Sequence, residues 1–131
     1  MDFETYARLK PMDGNVAHNW REVFDNKVLA SLNPRQAKVL DYGFGDGKYY
    51  TLFSEIFRKE NIYGLEISKL RISRARALGW HQVQRLKDKE AFPFEENYFD
   101  FINCDQMIEH IKSKDVDFYL AEMARVLNRT E

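Results

Sequence analysis

The chain has 131 residues, a length that suits one small domain and not two. Hydrophobic residues make up 44% and aromatic residues 15% of it, so a sizeable core is expected and general disorder is excluded. Twenty Lys and Arg against 21 Asp and Glu give a net charge of −1, which gives no support for a protein that binds nucleic-acid backbones.

The cysteine count and the lengths of the apolar runs bear on location. Cys104 is the single cysteine, so no intrachain disulfide can form and an intracellular setting fits best. The first residues lack a basic region followed by an apolar stretch, so no signal peptide is predicted. No run approaches the roughly 18 apolar residues that a membrane span needs. The predicted location is therefore cytoplasmic.

Residues 1–34 are predicted to form an N-terminal arm followed by one helix. Apolar residues recur near helical spacing between residues 16 and 32. Asn33 and Pro34 then end the helix, because a residue before proline is pushed out of the helical region. The remaining residues, 35–131, are predicted to form the main domain.

Strands and helices alternate in that main domain. Short apolar runs predict strands, and longer segments with apolar residues every three or four positions predict helices. This alternation implies an α/β fold with a parallel sheet and right-handed crossovers. The predicted strands cover residues 38–42, 61–66, 82–86 and 99–104, and the predicted helices cover residues 48–59, 68–78 and 115–127.

Two of these helices carry side chains whose environment is predicted. The middle helix has a cluster of basic residues that is interpreted as a solvated face, since such clusters usually lie on the surface: Lys69, Arg71, Arg74 and Arg76. The last helix has a mostly apolar side, which is expected to face the core: Phe118, Leu120, Ala121, Met123, Ala124 and Leu127.

The most informative stretch is residues 39–47, Val-Leu-Asp-Tyr-Gly-Phe-Gly-Asp-Gly. Its apolar start is interpreted as a buried strand, and three glycines follow at alternate positions. Glycines let the backbone turn tightly and approach a ligand closely, because a Cβ would block both. A nucleotide-type pocket is therefore predicted at the carboxyl end of this strand. The Asp41 carboxylate is awkward for a pyrophosphate but suits a ligand that carries an ammonium group.

The pattern Asp41-x-Gly43-x-Gly45-x-Gly47 resembles motif I of the class I S-adenosylmethionine-dependent methyltransferases, in particular those acting on small molecules. The dinucleotide-binding pattern G-x-G-x-x-G fits less well, because a lysine stands where its third glycine is needed. The resemblance implies a Rossmann-like, doubly wound parallel sheet of strand order 3-2-1-4. It also implies S-adenosyl-L-methionine as cofactor, bound by the motif residues with Tyr42 among them. A glycine-rich turn without a ligand is the other interpretation of these residues.

Two further acids extend the match to an adenosine site. Glu66 ends the second strand about 20 residues after the glycine turn, where a carboxylate can accept both hydroxyls of a ribose. The resemblance implies that role for Glu66, with Ile67 beside it. Residues 88–94 resemble the D-A-x-x-L-P-F stretch, which implies that Asp88 takes the adenine amine and that the Lys89 backbone N–H meets a ring nitrogen. A surface glutamate and a turn-forming aspartate are the other interpretations.

Residues 104–110 resemble the segment that follows strand four in the family. This implies that a backbone carbonyl near Cys104 holds the ammonium group of the cofactor. A nucleophilic role for Cys104 lacks a paired base, so a small buried strand-end residue is the favoured interpretation. His110 is interpreted as structural rather than as a general base. Asp105, Glu109 and His110 match no strong ligand spacing, so no metal site is predicted.

The resemblance covers residues 35–128 and corresponds only to the cofactor-binding half of the family's domain, because strands five to seven are absent. Residues 121–128 resemble the E-x-x-R-V-L helix end that precedes strand five. Strand four would then lie at an open sheet edge, so a homodimer or a partner chain is predicted to cover it. No catalytic residue is assigned, since methyl transfer depends mainly on holding the reactants close and aligned.

The predicted function is a methyltransferase, or its cofactor-binding portion, that transfers a methyl group to a small-molecule acceptor. No nucleic acid or membrane is expected as a partner. One alternative is a non-catalytic S-adenosylmethionine-binding or scaffold subunit that pairs with another chain. The other is a nicotinamide-dependent oxidoreductase, which Asp41 and the missing third glycine disfavour. Trp20 and the N-terminal helix are interpreted, from their position, as a lid over the site.

Overall fold

A computed structural model describes residue 16 and residues 18–105 and 111–128 of the chain. The described residues form a four-stranded, all-parallel sheet of order β3-β2-β1-β4. This confirms the predicted α/β class and the strand order. The N-terminal arm predicted before residue 16 and the interpretation of His110 lie outside the described residues. The strands are β1 Val39–Tyr42, β2 Ile62–Glu66, β3 Val83–Arg85 and β4 Phe101–Asn103.

Four α-helices flank the sheet in the described part of the chain, each near a predicted position. Short 3₁₀ turns at Lys59–Asn61 and Ser113–Asp115 precede β2 and the last helix. No described helix combines the length and the apolar composition needed to cross a membrane. The helices are α1 His18–Val23, α2 Lys48–Phe53, α3 Lys69–Ala77 and α4 Val116–Val126.

The N-terminal helical segment is less regular than its apolar spacing predicts. After α1, the Leu29 N–H bonds the Phe24 carbonyl five residues earlier, which widens the turn, and a 3₁₀ turn follows at Leu29–Ser31. Leu32 is extended, so the helical segment ends just before Asn33 and Pro34, as predicted.

Helix α2 is shorter than the predicted span of 48–59. Beyond Phe53 the backbone bonds shorten to i→i+3 spacing, with the Glu55 N–H on Leu52 and the Ile56 N–H on Phe53. The tighter turn still brings Phe57 back into the core, where it packs against Phe53. Phe57 is therefore buried like Phe53, although only half of the predicted segment is α-helical.

Both faces of the sheet are covered, as expected for a parallel sheet whose strands read as apolar runs. All four residues of β1 are buried. One side of the core is largely aromatic and centres on Phe24, Phe53 and Trp80, which the N-terminal helix and α2 cover. The other side contains Tyr42, Leu65, Phe92, Phe99, Tyr119 and Val126.

The predicted apolar side of α4 is wrong in part. Phe118 and Leu120 are exposed at 36% and 45%, whereas Tyr119 and Val126 are buried. Tyr119 and Val126 lie seven residues apart, two helical turns, and therefore share one face. Phe118 and Leu120 lie beside that face. They were wrongly assigned to the core because the prediction relied on their apolar character and not on their spacing.

Strand β4 is shorter than the predicted 99–104, because Phe99 pairs with a different segment. A parallel bridge joins Phe99 to Leu127, just after α4 ends. The Phe99 N–H bonds the Val126 carbonyl, and the Asn128 N–H bonds the Phe99 carbonyl. Residues 127–128 therefore cover the start of this edge and leave β4 itself last in the sheet order. A homodimer or partner chain on that edge stays a prediction.

Candidate functional site

The glycine turn lies at the carboxyl end of β1, between that strand and α2. Gly43, Gly45 and Gly47 have φ angles of +70°, +59° and +79°, which side chains with a Cβ rarely adopt. The Gly43 N–H bonds the Leu65 carbonyl, so the turn is anchored to the neighbouring strand β2. The backbone of the turn is consequently held beside the ends of β1 and β2.

Asp41 is the acid of this turn, and the sheet buries it almost completely. The Asn103 side-chain amide donates to its Oδ1 at 3.2 Å. Its Oδ2 has no hydrogen-bond partner among the described residues. Burial raises the pKa of Asp41 well above its usual range, and the Asn103 hydrogen bond opposes that rise. An unpaired, buried carboxylate oxygen of this kind is a ready acceptor for a cationic group.

Glu66 ends β2 with its carboxylate turned to the glycine turn. Its Oε1 accepts the Gly45 N–H at 3.2 Å and its Oε2 accepts the Ser68 N–H at 2.7 Å. Burial raises its pKa, while these bonds and the nearby Arg71 lower it. A carboxylate has about four acceptor positions, so two backbone bonds leave capacity for the hydroxyls of a diol.

Ion pairs surround the glycine turn and correct the predicted solvated face of α3 at Arg71 and Arg74, whereas the other two basic residues of that face are exposed as predicted. Arg71 is buried, with its guanidinium 3.8 Å from Glu66 and 3.9 Å from Asp46, and Arg74 lies 3.5 Å from Asp46. The i, i+3 spacing of the two arginines is visible in the sequence. Only the position of α3 over the turn shows that both arginines face its carboxylates. Arg71 also borders the turn, since a Cβ on Gly45 would lie 3.4 Å from its Nη1.

Asp88 and Lys89, the two predicted adenine contacts, lie in the loop after β3 and share one partner there. The Tyr119 hydroxyl donates to Asp88 Oδ1 at 3.1 Å and accepts the Lys89 N–H at 2.7 Å. Lys89 has a φ of +57°, and its ammonium lies 3.0 Å from the buried Asp115. Sequence reasoning missed Tyr119 because the wrong face of α4 was assigned to the core. Its position one turn before Glu122 in the E-x-x-R motif was the available signal.

Tyr42 and Ile67 directly follow Asp41 and Glu66 in the chain. The Tyr42 ring is buried against Phe92 and Tyr119, with ring centroids 5.0 and 6.0 Å apart. The Ile67 carbonyl accepts the Arg85 Nε–H at 3.1 Å, directly after β2. Both residues therefore flank the strand ends that carry Asp41 and Glu66.

Cys104 follows β4 and is half-buried. Burial raises the pKa of its thiol to about 12, with smaller contributions from Asp41 and Asp105, so the reactive thiolate is disfavoured. Asp105 next to it accepts a hydrogen bond from the Tyr49 hydroxyl. Within the described parts of the chain, no three potential ligands come together in a group that could hold a metal ion. Glu109 and His110, two of the residues for which no metal site was predicted, lie outside those parts.

Comparison with known families identifies the group to which this arrangement belongs. The model of a methyltransferase-domain family matches residues 40–130, about two thirds of the chain. The chain belongs to this methyltransferase family. The resemblance drawn from motif I is thereby confirmed, and membership implies S-adenosylmethionine as the cofactor. A search of curated proteins found no significant match.

Solved structures with the same fold include proteins of different described activity. The PH0226 protein of Pyrococcus horikoshii OT3 superposes with a TM-score of 0.67 at 23% identity, over 97% of this chain and 62% of that one. A SAM-dependent methyltransferase of Aquifex aeolicus gives 0.58 at 21%, over 90% and 69%. The [4+2]-cyclase SpnF gives 0.58 at 22%, over 89% and 45%. This chain thus spans less than two thirds of the Pyrococcus protein.

Proposed function

We propose that this chain binds S-adenosylmethionine and forms the cofactor-binding part of a methyltransferase that acts on a small-molecule acceptor. The observation that carries the proposal is the pair of buried carboxylates at the glycine turn: Asp41 precedes the turn, and Glu66 bonds its middle glycine. One has an oxygen without a hydrogen bond from the described residues, and the other has acceptor capacity to spare. Together they suit a ligand that combines a cationic amino-acid part with a ribose.

The described residues fit this cofactor part by part. The backbone of Gly43, Gly45 and Gly47 would form the floor, and Glu66 would accept the ribose hydroxyls. Asp88 would accept the adenine amine with the carboxylate oxygen that Tyr119 leaves unused. The remaining proposed contacts would come from backbone groups beside these side chains: Tyr42, Ile67, Lys89 and Cys104.

The chemistry at this site depends on position rather than on a dedicated acid or base. When bound, S-adenosylmethionine supplies a methyl group on a positively charged sulfur. The protein's part is to hold the donor against its acceptor in line, which is worth many orders of magnitude in rate. Asp41, Glu66 and Asp105 place three interacting carboxylates at the site, and in their ionised form these suit a cationic donor. A general base is needed only for an acceptor that carries a proton at attack.

A small-molecule acceptor is favoured over nucleic acid by charge and by motif. The net charge of −1 gives no basic excess for phosphate contacts. The Pro-Phe segment after Asp88 resembles the stretch found in small-molecule methyltransferases. Since SpnF shares the fold and is described as a cyclase, the fold alone does not specify the reaction. Transfer of tritiated methyl groups into the low-molecular-mass fraction of a cell extract, rather than into RNA or protein, would test this class.

Replacing Gly45 by alanine is expected to weaken cofactor binding at least tenfold. The added Cβ would lie at a φ of +59° and 3.4 Å from Arg71, at the floor of the proposed pocket. Such backbone strain costs about 1 kcal/mol or more, and it would displace the N–H that bonds Glu66. Calorimetric titration with S-adenosylmethionine, S-adenosylhomocysteine and NAD would measure this effect.

Gly79→Ala is the matched control for that variant. Gly79 also has a positive φ, at +94°, but a Cβ there meets nothing within 4 Å, and the residue itself lies beyond the end of α3. We expect Gly79→Ala to lose stability and keep its affinity. Tight binding of NAD, or no binding of either S-adenosyl ligand by the unmodified chain, would contradict the proposed function.

A further inference from the structure

The N-terminal helix α1 reaches the carboxyl end of the sheet through Trp20. The indole stacks on Phe24, with ring centroids 5.0 Å apart and planes at 12°, and packs against Tyr49 at 4.6 Å. These rings hold it in one orientation. Its Nε1–H donates to Asn103 Oδ1 at 3.2 Å, at the last residue of β4. Trp20 therefore joins the N-terminal segment to the strand end next to the candidate site.

That bond decides which way the Asn103 amide faces. An indole nitrogen can only donate, so the atom that receives it must be the amide oxygen. The amide nitrogen then points to the other side, where it donates to Asp41 Oδ1 at 3.2 Å. Asn103 is buried, and with the amide reversed its oxygen would face the Asp41 carboxylate. The two hydrogen bonds therefore run in one direction: Trp20 donates to Asn103, and Asn103 donates to Asp41.

This series of hydrogen bonds ends at Asp41, beside the oxygen for which the described residues supply no partner. Oδ1 is occupied by Asn103, and Oδ2 is buried without a hydrogen bond from any described residue. A buried oxygen of this kind is costly unless a donor group completes it. The arrangement therefore presents a single, oriented acceptor beside the glycine turn.

We propose that Trp20 is a positioning residue that acts through Asn103 to hold Asp41 with its Oδ2 available to the cationic methionyl part of the cofactor. This inference rests on the proposed function and makes it more specific. It is more specific than the interpretation of Trp20 as a lid, which stays a prediction. As a consequence, a change in the N-terminal helical segment is expected to change the affinity for the cofactor.

The charges around Asp41 predict a pH signature for this coupling. Burial and the carboxylates of Asp105 and Glu66 raise the pKa of Asp41, while the Asn103 bond and Lys48 lower it. A cationic ligand prefers the ionised carboxylate, so its affinity falls as the pH drops through that pKa. If Trp20 no longer orients Asn103, the pKa of Asp41 rises further. The decline in affinity then begins at a higher pH.

A double-mutant cycle tests the route from Trp20 to Asp41. We expect Trp20→Phe, which keeps the stacked ring and removes the donor, to weaken S-adenosylhomocysteine binding about fivefold and to shift its pH dependence upward. Asn103→Ala should weaken binding at least as much. The double variant should bind no more weakly than Asn103→Ala alone, because the effect of Trp20 passes through Asn103. A further fivefold loss in the double variant would overturn the proposal.

Tyr63→Phe serves as the control for lost stability. It also removes one partly buried side-chain hydroxyl bond, to Tyr98, on the other side of the core. We expect its affinity and pH dependence to match those of the unmodified chain. If Tyr63→Phe produced the same pH shift as Trp20→Phe, a general loss of stability would explain both and the proposal would fail.

A measurement without ligand separates this inference from the proposed function. In ¹⁵N-labelled protein, the indole N–H signal of Trp20 should move and lose exchange protection in Asn103→Ala. The indole N–H of Trp80, which bonds the Ile62 carbonyl at 2.9 Å, is the internal reference and should stay unchanged. A Trp20 signal that does not move contradicts the hydrogen bond from Trp20 to Asn103. Failure of the unmodified chain to bind S-adenosylhomocysteine contradicts the proposed function, whatever the indole signal shows.

Discussion

Replacing Glu66 by alanine is expected to lower the affinity for S-adenosylhomocysteine by about 100-fold. Two hydrogen bonds from ribose hydroxyls to a carboxylate contribute about 3 kcal/mol together, which corresponds to that factor. The same change leaves the N–H groups of Gly45 and Ser68 without their acceptor and removes the ion pair with Arg71. Breaking a buried charged pair from one side should also cost about 3 kcal/mol in the free energy of unfolding.

Glu66→Gln keeps the size of the side chain and one carbonyl acceptor, so it separates the two effects. We expect its affinity to fall about tenfold, because the charge is lost. The loss is smaller than in Glu66→Ala, because one acceptor remains. Asp100→Ala is the matched control. Asp100 also accepts a backbone N–H, that of Lys38, but at the opposite end of the sheet. Calorimetry and urea unfolding on the three variants would measure affinity and stability. Unchanged affinity in both Glu66 variants would remove Glu66 from the site.

Replacing Gly64 by alanine is expected to destabilise the fold by about 3 kcal/mol, at the upper end of overpacking costs. Gly64 lies in the middle of β2, and a Cβ there would come within 2.6 Å of Trp80 and 2.7 Å of Phe44. Neither ring can move easily, because Trp80 stacks on Tyr50 and its indole N–H is bonded. The melting temperature should fall by about 10 °C.

The atoms that would clash identify a rescue. Two of the three belong to the outer six-membered ring of Trp80, which phenylalanine at that position would not reach, and the third belongs to Phe44. Trp80→Phe alone should destabilise through a cavity and a lost hydrogen bond. We expect the double variant Gly64→Ala, Trp80→Phe to be more stable than the sum of the single changes, measured by urea unfolding. Strict additivity would show that the clash is absorbed elsewhere. Since Phe44 belongs to the glycine turn, we also expect Gly64→Ala to weaken cofactor binding.

Much of the fold could be predicted because local patterns agree with the final structure. The apolar run before Asp41 became a fully buried strand, and Ser68 caps α3 by accepting the Arg71 N–H at 3.2 Å. Gly79, with its positive φ, follows the end of α3, where glycine commonly ends a helix. Asn33 and Pro34 stopped the first helical segment. These signals act between residues that are close in the sequence, so they do not depend on the rest of the fold.

The errors occurred where a contact from a distant segment decides. The α-helical part of α2 ends at Phe53, and the tighter turn after it still places Phe57 in the aromatic core. Phe99 left β4 to pair with Leu127, which no local pattern indicates. Helix α4 turned Tyr119 inward toward Asp88 and Lys89, while Phe118 and Leu120 remained outside. The polarity of a side chain alone does not show which of several neighbouring residues on a helix faces the core.

The sequence by itself determined the glycine turn, its acid and the acid at the end of β2, since their chemistry is carried by residue type and spacing. It also determined the α/β class and, through motif I, the family. Only the tertiary structure decided the surroundings of those acids. Parallel crossovers bring α3 over the turn, so Arg71 is buried beside Glu66, and they bring Trp20 and Asn103 from opposite ends of the chain to Asp41. The physical reason is that hydrogen bonds and ion pairs depend on distances in space, which residues 83 positions apart acquire only when the sheet closes.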